Sequence, residues 1–420
     1  MMFRKTVLDN GVRILSESVD HLRSLSLGIW VDTGSRDEAE EENGVSHFIE
    51  HMVFKGTANR TGLEIAKELD SIGGLSNAFT GKESTCFHAR ILQRHFPLLS
   101  DILSDLFLNP LFDAEDMERE KEVILQEIGM VEDTPDENVH VLFNRHFWQG
   151  HPIGMPILGT QETVCSITRE HLFTYKDRHY VPARILIVAA GDVRHDQLVS
   201  IFSPLFDSLD EKEASHTRKP PRCHTGISVH EKALEQVHIC IGGPAPSLKS
   251  DDRYACGIFN TILGGNMSSR LFQEIREKKG LAYSVFSFLS PYLDTGMLGI
   301  YVATDRDKIN YVLETIRVEI NKMLRGGIGR QDLDFAKDHL IGSIYLGADN
   351  TDNRMMRIAK NEMVYGRYIS YEEVVSNLNR VRLDDVIESG RKVFREDGIS
   401  MTVLGPVKDQ DIDESCLHFC

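Results

Sequence analysis

Apolar and polar residues alternate over the first fifteen positions in the pattern of two paired strands. The alternating runs 4–8 and 12–15 flank the tripeptide Asp9-Asn10-Gly11. Asn-Gly between two such runs is a strong signal for a β-hairpin, because both residues tolerate the backbone of a tight turn. The pattern therefore predicts strand, turn and strand. It contains no basic stretch followed by an apolar run, so we expect no secretory signal here.

The order of predicted elements in the first half of the chain recurs in the second half. Each half predicts strands, then a helix, a glycine-containing turn, more strands, two helices and a last strand. Residues 51–56 end a helix in the first half, and residues 260–265 end one in the second. Residues 112–121 and 328–337 likewise open helices in matching places. Similarity at half-chain spacing indicates a duplicated domain, because solenoid repeats have much shorter periods.

A polar stretch with two adjacent prolines separates the halves. It covers residues 211–226, and its composition is typical of a linker. A chain of 420 residues also exceeds the size of one ordinary core. We therefore expect homologous domains at 1–210 and 227–420. Within each, strands and helices do not alternate strictly, which favours an α+β fold with a mostly antiparallel sheet and helices packed on one face.

Composition narrows the classes of partner. Hydrophobic residues make up 41% and charged residues 26%, as in soluble globular proteins. No apolar run approaches the roughly 20 residues that span a bilayer. The net charge of −17 argues against a nucleic acid or an anionic membrane as partner.

The seven cysteines form no CxxC pair, which suits reduced thiols and a cytoplasmic location. Cys416 and Cys420 lie in a polar, acidic tail, for which we predict no role.

Residues 47–51, His-Phe-Ile-Glu-His, carry the clearest chemical signal in the sequence. They lie in a helical pattern for which Asn43 is the predicted N-cap. His47 and His51 are four residues apart, so both imidazoles share one helix face and can bind one ion. A catalytic zinc keeps three protein ligands and one water, which Glu50 could deprotonate as general base. The order H-x-x-E-H is the inverted form of a zinc-peptidase motif, although so short a motif also occurs by chance.

A third ligand is expected from the acidic helix predicted over residues 118–128. Glu120 and Glu127 lie seven residues apart, which is two helical turns, and therefore share a face. One of them could bind the metal while the other lies just outside it. The other acids of this helix, Glu118 and Glu122, fit a solvated helix face better.

The residues around both helices resemble the pitrilysin/insulinase family of zinc peptidases. Segment 44–57, Gly-Val-Ser-His-Phe-Ile-Glu-His-Met-Val-Phe-Lys-Gly-Thr, is similar to the family's active-site helix. Residues 118–128 are similar to its second active-site helix. The likeness is greatest to the branch of the mitochondrial processing peptidase β-subunit and its bacterial relatives, and it covers nearly the whole chain. It implies one zinc ion per chain, with Glu127 as the third ligand and Glu120 as a residue that supports catalysis.

The duplication provides an internal control for the metal site. At the positions that match His47, Glu50, His51 and Glu127, the second half carries, in the same order, Cys256, Phe259, Asn260 and Ser343. If the ligand set were needed for folding, both copies should keep it. A complete set in the first half alone favours chemistry over structure.

Further residues in the second half match the family. Gly264 and Gly265 precede no lysine–serine pair, so they form no P-loop. The resemblance implies that Arg276 and Tyr283 reach the metal of the first half, where they would hold the substrate backbone and stabilise the oxyanion. Without the resemblance, an arginine on a helix surface is more often only solvated.

Residues 73–80 predict a strand that follows a glycine turn. The resemblance implies that this strand is a free sheet edge beside the zinc, to which the peptide adds as another strand through Asn77, Ala78 and Phe79. The alternative is an ordinary edge strand, with Phe79 in the core. The remaining histidines, His140 among them, show no ligand spacing, so we expect them at surface or packed positions.

Together these features predict a zinc endopeptidase or oligopeptidase that hydrolyses short or unfolded polypeptides. The resemblance implies two domains that face each other as a clamshell, and a homodimer or a heterodimer with a related subunit. One alternative is a catalytically silent structural subunit, against which the intact ligand set argues. Another is a processing enzyme that needs a partner chain, and activity of the purified chain alone would distinguish it.

Overall fold

The computed structural model of the protein describes residues 2–210, 217–413 and 418–419. Residues 211–216 of the predicted linker, together with Cys416 and Cys420, lie outside the described residues. The strands are β1 (Met2–Val7), β2 (Arg13–Ser18), β3 (Ser24–Val31), β4 (Leu75–Thr80), β5 (Thr85–Leu92), β6 (Ile185–Gly191), β7 (Gly226–Glu231), β8 (Val237–Pro244), β9 (Ala282–Pro291), β10 (Gly296–Thr304) and β11 (Ser400–Gly405).

The α-helices are α1 (Val45–Met52), α2 (Gly62–Ser71), α3 (Phe96–Leu108), α4 (Ala114–Asp133), α5 (Pro135–Phe147), α6 (Gln161–Ser166), α7 (Arg169–His179), α8 (His195–Phe206), α9 (Arg253–Leu263), α10 (Ile309–Lys322), α11 (Arg330–Gly347), α12 (Thr351–Tyr365), α13 (Tyr371–Arg380) and α14 (Leu383–Val393). A shorter helical segment, Phe272–Lys278, has the wider winding of a π-helix.

The chain forms two compact units whose boundaries differ from the predicted domains. The first unit contains the described parts of 1–130, 155–218 and 347–369, and the second contains those of 131–154, 219–346 and 370–420. Each half of the sequence therefore contributes one stretch to the other unit, since α5 belongs to the second unit and α12 to the first. Boundaries at 1–210 and 227–420 miss this exchange, because periodicity shows that a helix is amphipathic but not which sheet it covers.

The first unit is built around a six-stranded sheet in the order β1-β2-β6-β3-β5-β4. β2 and β6 are parallel, and the other neighbouring pairs are antiparallel. The predicted hairpin is confirmed as the pair β1 and β2, with Val7 opposite Arg13. Gly11 in its turn has a φ of 97°, a conformation that glycine adopts without strain. β4 lies at the edge of this sheet.

The five-stranded sheet of the second unit repeats this topology. Its order is β7-β11-β8-β10-β9, with β7 and β11 parallel and the other pairs antiparallel. These strands match β2-β6-β3-β5-β4 one by one, and β9 occupies the place of β4. The repeated order confirms two homologous, mostly antiparallel α+β units.

Both faces of the first sheet are covered. On one face, Leu27 and Ile29 of β3 belong to the main buried core together with Phe48 of α1. On the other face, Trp30 of the same strand packs in a second cluster with Met355 of α12. β3 is therefore buried along almost its whole length. Helices thus lie on both faces, whereas the sequence predicted them on one, and the exchanged helix α12 is the reason.

The second sheet has a corresponding arrangement. Ile239 of β8 and Phe259 of α9 belong to its main core. On the opposite face, Phe143 of the exchanged helix α5 packs with Tyr301 of β10. Among the helices of the described ranges, none combines the length with the apolar character that crossing a bilayer requires.

Candidate metal centre

Helix α1 holds the two histidines of the predicted ligand set. Its apolar side chains, Phe48 and Ile49 among them, are fully buried in the main core and fix the rotation of the helix. His47 and His51 then lie side by side, with their Nε2 atoms 3.2 Å apart. Burial, and secondarily the charge of His51, lowers the pKa of His47 to about 3. His47 is therefore held in the neutral form that a metal ligand needs.

Helix α4 brings Glu127 to the same point. Its Oε2 atom lies 3.7 Å from Nε2 of His47 and 3.7 Å from Nε2 of His51. Taken one from each residue, the donor atoms lie within 4.8 Å of one another, and no other His, Cys, Asp and Glu group in the described ranges does so. A tetrahedral ion about 2.0–2.2 Å from each donor separates the donors by about 3.3–3.6 Å. The spacing and chemistry of this donor set therefore fit zinc.

Glu120 lies behind His51 rather than beside the donor triangle. Its Oε1 atom accepts a hydrogen bond from Nδ1 of His51 at 2.8 Å, and its Oε2 atom pairs with Nζ of Lys55 at 2.6 Å. A proton on Nδ1 leaves Nε2 bare and directed at the metal position. Glu118 and Glu122 are exposed, as expected for a solvated face.

Glu50 is held by the end of the edge strand. Thr80, the last residue of β4, donates its hydroxyl to Oε2 of Glu50 at 2.6 Å. Burial raises the pKa of Glu50, and the charge of Glu127 acts in the same direction, while Thr80 and His51 oppose the shift. The candidate base is thus fixed by a strand that is distant in sequence.

The predicted substrate strand β4 is an edge strand. Within the described part of the chain its one sheet neighbour is β5, with Asn77 opposite His88. Its first residue, Leu75, is 64% exposed, and Asn77 is exposed as well. Phe79 packs its ring against Trp30, with the centroids 5.3 Å apart, so this side chain belongs to the packed face. The strand therefore offers a backbone edge to which an extended peptide could add.

Arg276 and Tyr283 lie together in the second unit. The guanidinium of Arg276, on the segment Phe272–Lys278, is 4.4 Å from the centroid of the Tyr283 ring. Tyr283 is near the start of β9, and its side chain is 78% exposed. The two residues form a cation–π pair on the strand that matches β4 in the second sheet.

The residue that caps α1 is not the one that the sequence predicts. The predicted N-cap Asn43 is wrong, because Gly44 precedes the helix with a φ of 99° and no side chain to offer. The carboxylate of Glu38 takes over this role: Oε2 accepts from the Gly44 N–H at 2.8 Å, and Oε1 from the Ser46 N–H at 2.9 Å. Burial raises the pKa of Glu38 to about 7 despite these bonds. No capping-box spacing marks Glu38, since the contact crosses a loop.

The matching positions of the second unit are filled differently. Cys256 and Phe259 of α9 are buried in its core, while Ser343 of α11 is exposed. In the second copy, hydrophobic packing thus takes the places of His47 and Glu50, while an exposed serine takes that of Glu127.

Two family models cover most of the chain. Residues 13–161 match the model described as insulinase (peptidase family M16), and residues 166–340 match the model described as peptidase M16 inactive domain. The HFIEH segment lies in the first match. The inactive-domain match includes Cys256, Phe259 and Asn260, which stand at the positions of His47, Glu50 and His51.

Relatives from several bacteria resemble the chain over nearly its whole length. The uncharacterized zinc protease YmxG of Bacillus subtilis is 39% identical over 405 residues, covering 96% of this chain and 98% of that protein. The uncharacterized zinc protease SCO5738 of Streptomyces coelicolor is 37% identical over 415 residues, covering 97% and 90%. An uncharacterized zinc protease of Rickettsia felis is 36% identical over 405 residues, covering 96% and 98%.

Two solved structures share the fold. The peptidase M16 inactive domain from Pseudomonas fluorescens superimposes with a TM-score of 0.90 at 20% identity, over 97% of this chain and 98% of that chain. A protease from Helicobacter pylori gives a TM-score of 0.89 at 18% identity, over 96% and 99%. At these identities the likeness concerns the fold alone.

Proposed function

Because the chain belongs to the insulinase family of peptidases, peptidase family M16, we propose that it is a zinc-dependent endopeptidase or oligopeptidase of short or unfolded polypeptides. The observation that carries the proposal is the donor triangle of His47, His51 and Glu127, with Glu50 on the same helix. A silent subunit has no need to keep these four residues together. The proposal includes association with a second copy or with a related subunit.

In this proposal His47, His51 and Glu127 hold one zinc ion. The ion supplies Lewis-acid chemistry, which activates water at neutral pH. Glu50 accepts the proton of the attacking water at Oε1, the carboxylate oxygen that does not accept the Thr80 hydroxyl, and returns it to the leaving amine. Glu120 keeps the proton of His51 on Nδ1.

The substrate is proposed to bind as an extended strand beside β4. Its backbone would pair with the free edge along Asn77, Ala78 and Phe79, so affinity would depend little on substrate side chains. The roles of Arg276 and Tyr283, to hold the substrate and stabilise the oxyanion, rest on sequence resemblance to the family. Tyr283 is exposed and Arg276 is half-buried beside it, so the pair can be reached from solvent.

The test is cleavage of a mixed peptide library by the purified chain, with and without a chelator, read by mass spectrometry. We expect chelator-sensitive cleavage and about one zinc per chain by elemental analysis, as one three-ligand site requires. Glu50→Gln should keep the zinc and lose turnover, while Glu127→Gln should bind zinc more weakly. The exposed Glu122 of the same helix provides the matched control Glu122→Gln, which should behave as wild type.

Two results would overturn the assignment. One is zinc retained after His47→Ala combined with His51→Ala. The other is Glu50→Gln with the wild-type rate of hydrolysis. A zinc-loaded wild-type chain that cleaves nothing until a related subunit is added would instead identify the partner-dependent form.

A further inference from the structure

One largely buried arginine lies in the segment predicted as a linker. The side chain of Arg218 is 12% exposed, although Thr217 and Lys219 on either side of it are exposed. Such a contrast is unusual for a tether, since linker side chains are ordinarily solvated.

The guanidinium of Arg218 makes five hydrogen bonds within the first unit. Nε and Nη2 bind the two carboxylate oxygens of Asp37 at 2.9 and 2.7 Å, in the bidentate geometry that arginine favours. Nη1 binds Oδ1 of Asp32 at 2.9 Å, and Nη2 also reaches the backbone oxygens of Asp32 at 3.3 Å and Glu83 at 2.8 Å. Arg218 therefore bridges two stretches of chain, residues 32–44 and the hairpin loop 81–84.

These two stretches also contact each other directly. The backbone N–H groups of Ser35 and Arg36 donate to the carbonyl oxygens of Gly81 and Lys82 at 3.1 and 2.8 Å. A Cβ atom on Gly34 would lie 2.3 Å from the Gly81 oxygen, so the backbones approach as closely as glycine allows. Arg218 adds hydrogen bonds to both stretches at this junction, so that a shift of one stretch relative to the other would break them.

Each stretch leads directly to a part of the candidate active site. Residues 32–44 contain Glu38, which caps α1 and so holds the helix of His47 and His51. The loop 81–84 follows Thr80, whose hydroxyl binds Glu50. The junction that Arg218 closes therefore connects the segment that caps α1 with the loop that follows the end of β4.

We propose that Arg218 is a positioning residue of the candidate active site, which sets α1 and Thr80 relative to each other through Asp37 and the loop 81–84. The inference about turnover rests on the proposed function. The inference about local order does not, because it concerns the two stretches themselves.

The test compares Arg218→Lys with Arg222→Lys, an exposed arginine of the same segment. Lysine keeps the charge but cannot form the bidentate fork or span five acceptors. At 25 °C, Arg218→Lys should lower kcat for a library-derived peptide about tenfold with KM within about twofold, whereas Arg222→Lys should leave both unchanged. Hydrogen exchange without zinc should accelerate in peptides covering 38–52 and 75–84, and stay unchanged in β8 of the second unit.

A second variant covers the case in which Arg218→Lys fails to fold. Arg218→Met combined with Asp37→Asn removes the charge that would otherwise be buried without its partner, and it should show the same changes in kcat and exchange. If Arg218→Lys lowers only the melting temperature, with wild-type kcat and exchange, the residue is merely stabilising and the proposal is overturned. If the wild type cleaves no peptide either alone or with a related subunit, the proposed function fails, and hydrogen exchange alone then decides the role of Arg218.

Discussion

The hydroxyl of Thr80 lies 2.6 Å from Oε2 of Glu50, so the last residue of the edge strand holds the candidate base. Thr80→Val keeps the shape of the side chain and removes this hydrogen bond. A bond to a charged group contributes about 1.5–3 kcal/mol, so kcat should fall about 10- to 100-fold. Steady-state kinetics on a cleaved peptide measures the change.

Thr80→Ser is the matched control, because it keeps the hydroxyl. It should retain most of the wild-type kcat, and zinc content should be normal in both variants. Equal kcat values for the valine and serine variants would show that the hydroxyl does not orient Glu50.

Glu120 should control zinc affinity without binding the ion. Glu120→Gln weakens the hydrogen bond that fixes the proton on Nδ1 of His51. Loss of such a partner typically lowers metal affinity about 10- to 100-fold. Competition with a chromophoric chelator measures the dissociation constant, and the exposed Glu118→Gln on the same helix should leave it unchanged. An unaltered constant in Glu120→Gln would assign the residue to packing.

Some parts of this site follow from local sequence, and others do not. The pairing of His47 with His51 depends only on helix geometry, and the shared face of Glu120 and Glu127 likewise. Which of the two glutamates lies in the donor triangle and which lies behind His51 depends on how α4 packs against α1, and periodicity does not specify this packing. The cap on α1 was predicted at Asn43 but comes from Glu38, through a loop whose conformation no short motif records.

The same distinction applies to the fold. The hairpin at the start of the chain and the duplicated order of strands follow from alternation and internal similarity. The exchange of α5 and α12 does not follow from the sequence. Phe143 and Met355 show that each helix has an apolar face, but they do not show which sheet that face covers. The burial of Arg218 could not be predicted for a similar reason, since its partner Asp37 is 181 residues away in the chain.

Strand addition at β4 predicts that substrate backbone matters more than side chains. Proline near the scissile bond removes a hydrogen-bond donor, so it should block cleavage at the positions that pair with Asn77–Phe79. A proline scan through one good substrate, with an alanine scan of the same positions as control, measures this. Cleavage that tolerates proline at every position would count against edge addition.

Arg276 and Tyr283 should affect turnover and leave the metal site intact. Loss of a preorganised donor to an oxyanion typically costs about 10²–10³ in kcat, and we expect this for Arg276→Ala and for Tyr283→Phe. Zinc content should be normal, because neither residue is a ligand. Tyr311→Phe, which changes another exposed tyrosine of the second unit, is the control. A double variant of Arg276 and Tyr283 with normal kcat would end their assignment.

Two partly buried histidines of the second unit should make its stability depend on pH. His238 shares a hydrogen bond with the Tyr301 hydroxyl at 2.9 Å, and His140 packs against the Tyr301 ring and lies 3.7 Å from the Cys240 sulfur. Burial lowers the pKa of both histidines, and the charge of Asp136 opposes the shift only in part. Burial also raises the pKa of the Cys240 thiol and of Tyr301, so neither neighbour supplies a charge at neutral pH.

The sign of the effect follows from proton linkage. A histidine whose pKa is lowered on folding binds fewer protons in the folded state, so its contribution to stability is present above the unfolded pKa of about 6.5 and is lost as the pH falls below it. The loss is at most about 1.4 kcal/mol per pH unit for each histidine. Urea unfolding should give a lower unfolding free energy at pH 5.5 than at pH 7.5. In His140→Gln this difference should be smaller, because glutamine takes up no proton. His339→Gln, at an exposed position of α11, should leave it as in the wild type. If the unfolding free energy of His140→Gln decreases as steeply as that of the wild type when the pH falls, protonation of His140 is not the cause of the acid destabilisation.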